Sequence, residues 1–361
     1  MSFVIPDSSE LLDEAVLWHD EALELLAAGE LVAAAGKVER ALERFERFSG
    51  PDSPDVANLL NARGLIAWRR GDAALAHQAF ERAARITQFV EQFDGESDAA
   101  SDSEAAADSN VPHSNMAQSR ASDSSASESS ARESIEPNSD VVRIHVQALN
   151  NLGLLERDLG RYESAIRRYE KALEIARRHL GELDLDTAMV LNSIGMWCKF
   201  TGRFERGRAV YGEALEILRR VHGSDDEHPS IATLFHNLGG LEHAAGAFVA
   251  AEPFARKSVE IRRRAVGTAH ADYAADVGAL AAIVADLGRC DEAETLYREA
   301  LAIFQRLHGD DHYEIAVLLH NLAAVEVTRN RFDAAWDLYH NAAAMKEKWL
   351  GADHPDLALT L

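Results

Sequence analysis

The stretch Leu149-Asn150-Asn151-Leu152-Gly153, followed by Gly160-Arg161-Tyr162, Ala165, Tyr169 and Ala172, decides the fold. Leu149, Leu152, Leu155 and Leu159 recur at helical spacing. Gly160-Arg161 breaks the run, and Tyr162, Ile166, Tyr169, Leu173 and Ile175 open a second amphipathic face. Two helices joined by a tight turn make a helical hairpin, and this one repeats. Its alanine returns at Ala34, Ala76, Ala165, Ala251, Ala293 and Ala335, with Gly207 in the missing place, at spacings of 42, 89, 42, 44, 42 and 42 residues. Ahead of each lies a turn residue, Gly29, Gly71, Gly160, Gly202, Gly246 and Gly288, with Asn330 closing the series. Two columns in one register mark a stacked array in which each unit buries its apolar face on the next. The predicted fold is all-α, a right-handed α-solenoid of seven hairpins and a partial eighth. The alanine falls early in the second helix, where a methyl lets the two axes approach, and a bulkier side chain there should cost about 1–3 kcal/mol.

Composition narrows the function. The net charge of −23 argues against a general nucleic-acid binder, since affinity for phosphates comes mainly from Lys and Arg. The basic run Arg262-Arg263-Arg264 is short and precedes Gly267, where cations would complement a helix C-terminus. Cys198 and Cys290 occupy different repeats, so a disulfide framework is not expected and a reducing compartment is. Met1 to Leu12 lacks the basic and apolar segments of a secretory signal, and no stretch has the length of a membrane span. A cytoplasmic protein without membrane partners is expected.

Four divisions are expected: 1–93, holding units one and two; 94–140, an insertion; 141–351, units three to seven; and 352–361, which begins an eighth repeat or caps the last apolar face. The insertion accounts for the 89-residue gap. It carries 11 acidic and 2 basic residues with 14 serines and hardly any large apolar side chain, so it cannot offset its ordering entropy and is expected to be disordered. Its reach, about 35–40 Å for such a flexible chain, would let it fold back over neighbouring repeats as a self-inhibitor.

The quoted pattern resembles the tetratricopeptide repeat. The 42-residue period, with His228-Pro229, Asp353-His354-Pro355-Asp356 and Ala251-Glu252-Pro253, resembles its kinesin-light-chain subtype. In unit five Ala255 stands in place of the signature aromatic. The resemblance implies that first helices line a concave groove that binds peptides. It places there Asn61, Trp68 and Arg69; Asn150, Asn151, Arg157 and Asp158; Asn192, Met196 and Lys199; His236, Asn237 and His243; and His320 with Asn321. Gly278, Ala279 and Ala282 would form a smooth floor. Asparagine suits this role because its amide both donates and accepts, and Arg and Lys hold carboxylates. With Asp158 as the one acid against these cations, the groove is expected to be neutral to basic and to prefer an acidic peptide or a free C-terminus.

No catalytic constellation is spelled, and no enzyme activity or cofactor is expected. The runs His308-Gly309-Asp310-Asp311-His312 and His222 to His228 match no zinc spacing, so no metal site is expected. In these loops acids would start the next helix and histidines close the previous one. The primary reading is a non-catalytic scaffold or adaptor for a protein or peptide. A ligand-responsive sensor module and a self-associating architectural protein, pairing through the partial C-terminal repeat, are the alternatives.

Overall fold

The computed structural model describes residues 8–94, 137–223, 227–352 and 354–361. Most of the expected insertion therefore lies outside the described residues, and so does the self-inhibition attached to it. The chain falls into two compact units, Met1–Leu155 and Glu156–Leu361. The first holds α1 (Ser8–Ala27), α2 (Leu31–Phe48), α3 (Pro54–Arg69), α4 (Ala73–Ile86), a 3-10 turn over Gln88–Asp94 and most of α5 (Ser139–Asp158). The second begins with the last turn of α5. It continues through α6 (Tyr162–His179), α7 (Leu185–Phe200), α8 (Phe204–His222), α9 (Pro229–Ala244), α10 (Phe248–Val266), α11 (Ala271–Asp286), α12 (Cys290–His308), α13 (Tyr313–Thr328), α14 (Phe332–Leu350) and the short α15 (Pro355–Ala358). Among the described residues there is no strand. Helices pair as α1/α2, α3/α4, α7/α8, α9/α10, α11/α12 and α13/α14, and successive pairs stack on one another within each unit, which makes each an α-solenoid.

The turn column works as the period requires. Its glycines have φ between 69° and 81°, and Asn330 takes φ 59°, the left-handed region that asparagine tolerates best among residues with a Cβ. That bend lets the following amide return to a carbonyl five residues back, as in Arg203 N to Cys198 O at 2.9 Å and Arg289 N to Val284 O at 3.1 Å, closing the helix end.

Close approach within a hairpin depends on a second small-residue column, on the first helix. A Cβ on Gly195 would stand 2.4 Å from the Tyr211 ring, and one on Gly64 would stand 2.3 Å from Phe80. In the hairpin that lacks the aromatic, both sides are small, and a Cβ on Gly239 would come within 3.2 Å of the Ala255 backbone nitrogen. The alanine column is fully buried, and it also meets the following hairpin. At Gly207 a methyl would lie 2.8 Å from Leu241, which explains the missing alanine.

The first helices start on a cap residue whose identity changes along the chain. Ser53 and Asp184 accept from the amides of Val56 and Asp186. From α9 onward the cap is histidine. The Nδ1 atoms of His228, His270, His312 and His354 accept from the amides of Ser230, Asp272, Glu314 and Asp356 at 3.2, 3.1, 3.3 and 3.1 Å. This corrects the expectation that acids start these helices, because a ring nitrogen reaches the same amide that a carboxylate would. Ion pairs tie successive hairpins, among them Arg206–Glu170 at 2.7 Å, Arg208–Glu242 at 2.6 Å and Arg331–Glu294 at 2.9 Å.

Candidate functional site

In Glu156–Leu361 the helical period puts Asn192, Met196 and Lys199 on one face of α7, and His236, Asn237 and His243 on one face of α9. Two of them meet directly. Asn237 Nδ2 donates to Asn192 Oδ1 at 2.7 Å, so two half-buried amides bridge neighbouring first helices.

Lys199 is the exceptional charge on this face. Its Nζ lies 3.1 Å from where a Cβ of Gly240 would be, so the missing side chain makes its room. Among the described residues no carboxylate or hydrogen-bond acceptor engages it, and the centre of the Phe200 ring lies 6.0 Å from the ammonium. Burial without a counter-charge holds the ammonium below the ordinary lysine value.

The other cations are paired, and here the sequence expectation is corrected. Beside Asp158, two further acids stand on the face. His236 Nδ1–H donates to Asp276 Oδ1 at 2.8 Å, and His243 Nε2–H donates to Asp286 Oδ2 at 2.6 Å. Arg157 gives Nε and Nη2 to Asp158 Oδ1 at 3.0 and 2.7 Å and lies over the Phe200 ring. Arg262 is corrected too. Instead of decorating a helix end it is 5% exposed, with Nε on Asp276 Oδ2 at 3.1 Å, Nη1 on the Pro229 carbonyl at 3.2 Å and Nη2 on Thr233 Oγ1 at 3.0 Å.

Two cavities open beside these residues. One of about 230 Å³ is lined by His243, Asp286, Asn321, Thr328 and the small side chains of Ala282 and Ala285. It brings His243 and Asn321 together over part of the expected smooth floor. Gly278 is buried, and a Cβ there would stand 2.9 Å from Leu318. The other, of about 490 Å³, is lined by Asn192, Met189, Leu234, Thr233 and the parallel-stacked rings of His222 and His228, whose centroids are 3.6 Å apart. His320 contacts Thr360 Oγ1 through Nδ1 at 3.1 Å and meets Tyr339 edge-on, and its burial disfavours the charged form.

In Met1–Leu155 the expected groove residues are mostly committed to the fold. Asn61 is 4% exposed and donates to the Ile144 carbonyl at 3.1 Å. Arg69 Nη1 caps the end of α1 at the Leu26 carbonyl, 2.7 Å away. Asn150 and Asn151 are buried, and Trp68 is half-buried. This unit also holds a hydroxyl, imidazole and carboxylate in series: Thr87 Oγ1 lies 2.8 Å from His145 Nδ1, and His145 Nε2 lies 3.0 Å from Glu91. Thr87 has no exposed surface, so no substrate reaches its oxygen, and the three groups clamp the 3-10 turn onto α5.

Among the described residues no group of three or more His, Cys, Asp or Glu is placed to hold a metal ion. His308 instead stacks on His312 at 4.3 Å, and Asp311 engages Lys348 and the Trp349 indole.

The residues that sequence reasoning missed, Asp276 and Arg262, had a signal. Counting twelve residues back from each turn residue gives Leu17, Leu59, Ala148, Val190, Leu234 and Leu318, and among these apolar places Asp276 is the charge.

The chain matches the tetratricopeptide repeat over residues 13–88, 145–220, 186–264 and 272–348. No curated protein sequence matches it. Among the solved structures that resemble its fold are the following three. BtubC (BKLC) from P. vanneervenii is 23% identical over 60% of this chain and 84% of that one, with a TM-score of 0.50. The apo form of RapI is 13% identical over 93% and 98%, with a TM-score of 0.59. Aspartyl phosphate phosphatase F from Bacillus subtilis is 12% identical over 96% and 73%, with a TM-score of 0.60. At these identities the likeness is one of fold alone. The periodic hairpins and the residues matched establish that the chain belongs to the tetratricopeptide repeat family.

Proposed function

We propose that this protein is a non-catalytic scaffold that binds a peptide segment of a partner protein along its first-helix face, with an acidic side chain or free C-terminal carboxylate placed on Lys199. The observation that carries this reading is the half-buried Lys199 ammonium beside Gly240, which has no counter-charge among the described residues. A buried charge without a partner is costly to the fold, and a ligand carboxylate would supply what the fold omits. The amides of Asn192 and Asn237 nearby suit a peptide main chain whatever its side chains. The 42-residue spacing supports assignment to the long-period, kinesin-light-chain-like subtype. Cys198 and Cys290, both free thiols, support a reducing, cytoplasmic setting.

The test is selection from a library of short random peptides with free C-termini, followed by titration of the selected peptides. Affinity should fall at least tenfold in Lys199→Met and should weaken as salt is raised. Selected peptides that lack acidic side chains and bind equally well once their C-termini are amidated, or equal affinity for Lys199→Met, would overturn the assignment.

A second reading, self-association, is favoured by Phe332 and Trp336, which are 62% and 73% exposed on α14. Trp336 holds the place where Arg208 and Glu294 engage a following hairpin. Concentration-dependent mass in sedimentation tests it, and a mass independent of concentration would remove it.

A further inference from the structure

The joint where α10 meets α11 is chemically unlike the two that flank it. Where α8 meets α9, the joint contains Leu218 and Leu234, and where α12 meets α13 it contains Phe304 and Leu318, all buried in apolar clusters. The same two places where α10 meets α11 hold Arg262 and Asp276, 5% and 3% exposed. Two other hairpins also carry a polar residue at the Arg262 place, Thr87 and Lys346. Burying an ion pair is no route to stability, because apolar residues of similar volume commonly serve as well or better. The neighbouring hairpins use that apolar solution.

What the ion pair does that leucines would not do is reach the first-helix face. Asp276 spends Oδ2 on Arg262 Nε at 3.1 Å, and the fork is fixed by the Pro229 carbonyl and Thr233 Oγ1, with Asp272 3.5 Å from Nη1. Its other oxygen takes Nδ1–H of His236 at 2.8 Å. The imidazole is thereby held in one orientation and, when neutral, in one tautomer, with the proton on Nδ1 and the lone pair on Nε2. The His236 side chain is 36% exposed, whereas both partners are buried. It occupies the repeat place that Asn61, Asn150 and Asn192 hold in other hairpins.

We infer that Arg262 and Asp276 are positioning residues that hold His236 as a fixed hydrogen-bond acceptor, its Nε2 receiving a main-chain N–H or a hydroxyl of the bound peptide; the identity of this ligand rests on the function proposed above. His236 then differs in role from Lys199. One takes a donor and the other takes a carboxylate, so the peptide is read at two points of opposite polarity.

The experiment uses the full chain with ¹⁵N-labelled histidine, the His236 signals being assigned by their absence in His236→Gln. Imidazole ¹⁵N shifts should show Nδ1 protonated and Nε2 bearing the lone pair. In the double variant Arg262→Leu/Asp276→Leu, which copies the Leu218 and Leu234 joint, melting should be unchanged or raised, and His236 should revert to the Nε2–H form that an unconstrained histidine side chain favours. Peptides selected from the random library on the unmodified chain should shift the Nε2 resonance and should lose at least fivefold in affinity for the double variant. An Nε2–H tautomer in the unmodified chain, or an unchanged tautomer in the double variant, overturns the positioning role whether or not any peptide binds. Peptides that bind through Lys199 yet bind the double variant equally overturn the recognition role alone. Should the double variant fail to fold, the tautomer of the unmodified chain and its response to selected peptide still decide.

Discussion

Asn237 and Asn192 share one hydrogen bond, Nδ2 to Oδ1 at 2.7 Å, across forty-five residues of sequence. It joins consecutive first helices at the face assigned to ligand, so the same amides serve the stack and the site. Asn237→Ala should lower unfolding free energy by only about 1 kcal/mol, since a part-exposed carbonyl left behind can turn to water. Peptide affinity should fall by a larger factor than stability implies. Urea unfolding and titration of library-selected peptides give the two numbers, and parallel losses would reduce Asn237 to a structural tie.

Glycine means opposite things at two places in one hairpin. Gly195→Ala would drive a methyl to 2.4 Å from the Tyr211 ring and should cost about 1–3 kcal/mol. Gly212 lies inside α8, and a methyl there would meet nothing within 4 Å, so Gly212→Ala should gain about 0.5–1 kcal/mol from the unfolded chain's lost freedom. Urea midpoints moving in the same direction for both would contradict the hairpin packing.

Acid should weaken the second unit through its caps. The pKa values of His228 and His312 are depressed below 6.5 by burial, then by the neighbouring His222 and His308, and a ring nitrogen that accepts an amide must be unprotonated. The unfolded chain therefore binds protons first. The contribution is fully present above about pH 6.5 and is lost as pH falls through the depressed folded values. Replacing both with asparagine, which caps without titrating, should flatten the stability profile between pH 7.5 and 5. An unchanged slope would assign the acid sensitivity to other groups.

Lys199→Met should exchange function for stability. Removing a desolvated, unpaired ammonium while keeping its apolar stem should raise unfolding free energy by about 1 kcal/mol, as binding sites commonly cost the fold. A fall in thermal midpoint would mean that the ammonium has a partner in solution.

The architecture is legible in the sequence because two columns of small residues, near Gly160 and Ala165, recur in register, and backbone packing forces such columns to be small wherever the chain varies. The site is legible only in part. Lys199, Asn192 and Asn237 can be named because helical periodicity assigns a face. Arg262 reads as a helix-end cation because sequence shows its neighbour Gly267 and hides Asp276 across the joint. His236 and His243 read as free cations for the same reason. Their acids, Asp276 and Asp286, lie forty and forty-three residues on, a distance that only the stacking closes. The caps escape a sequence reading because an imidazole nitrogen and a carboxylate oxygen can satisfy one amide equally well.

The Arg262–Asp276 joint also bears on how freely such arrays can be rearranged. Hairpins that meet through leucine can be shuffled, since either partner fits any similar surface. A guanidinium or a carboxylate facing leucine would be stranded without its counter-ion. Swapping α9/α10 with α11/α12 should therefore yield a poorly folding chain although every hairpin is retained, which makes this joint a key that fixes the order of the series.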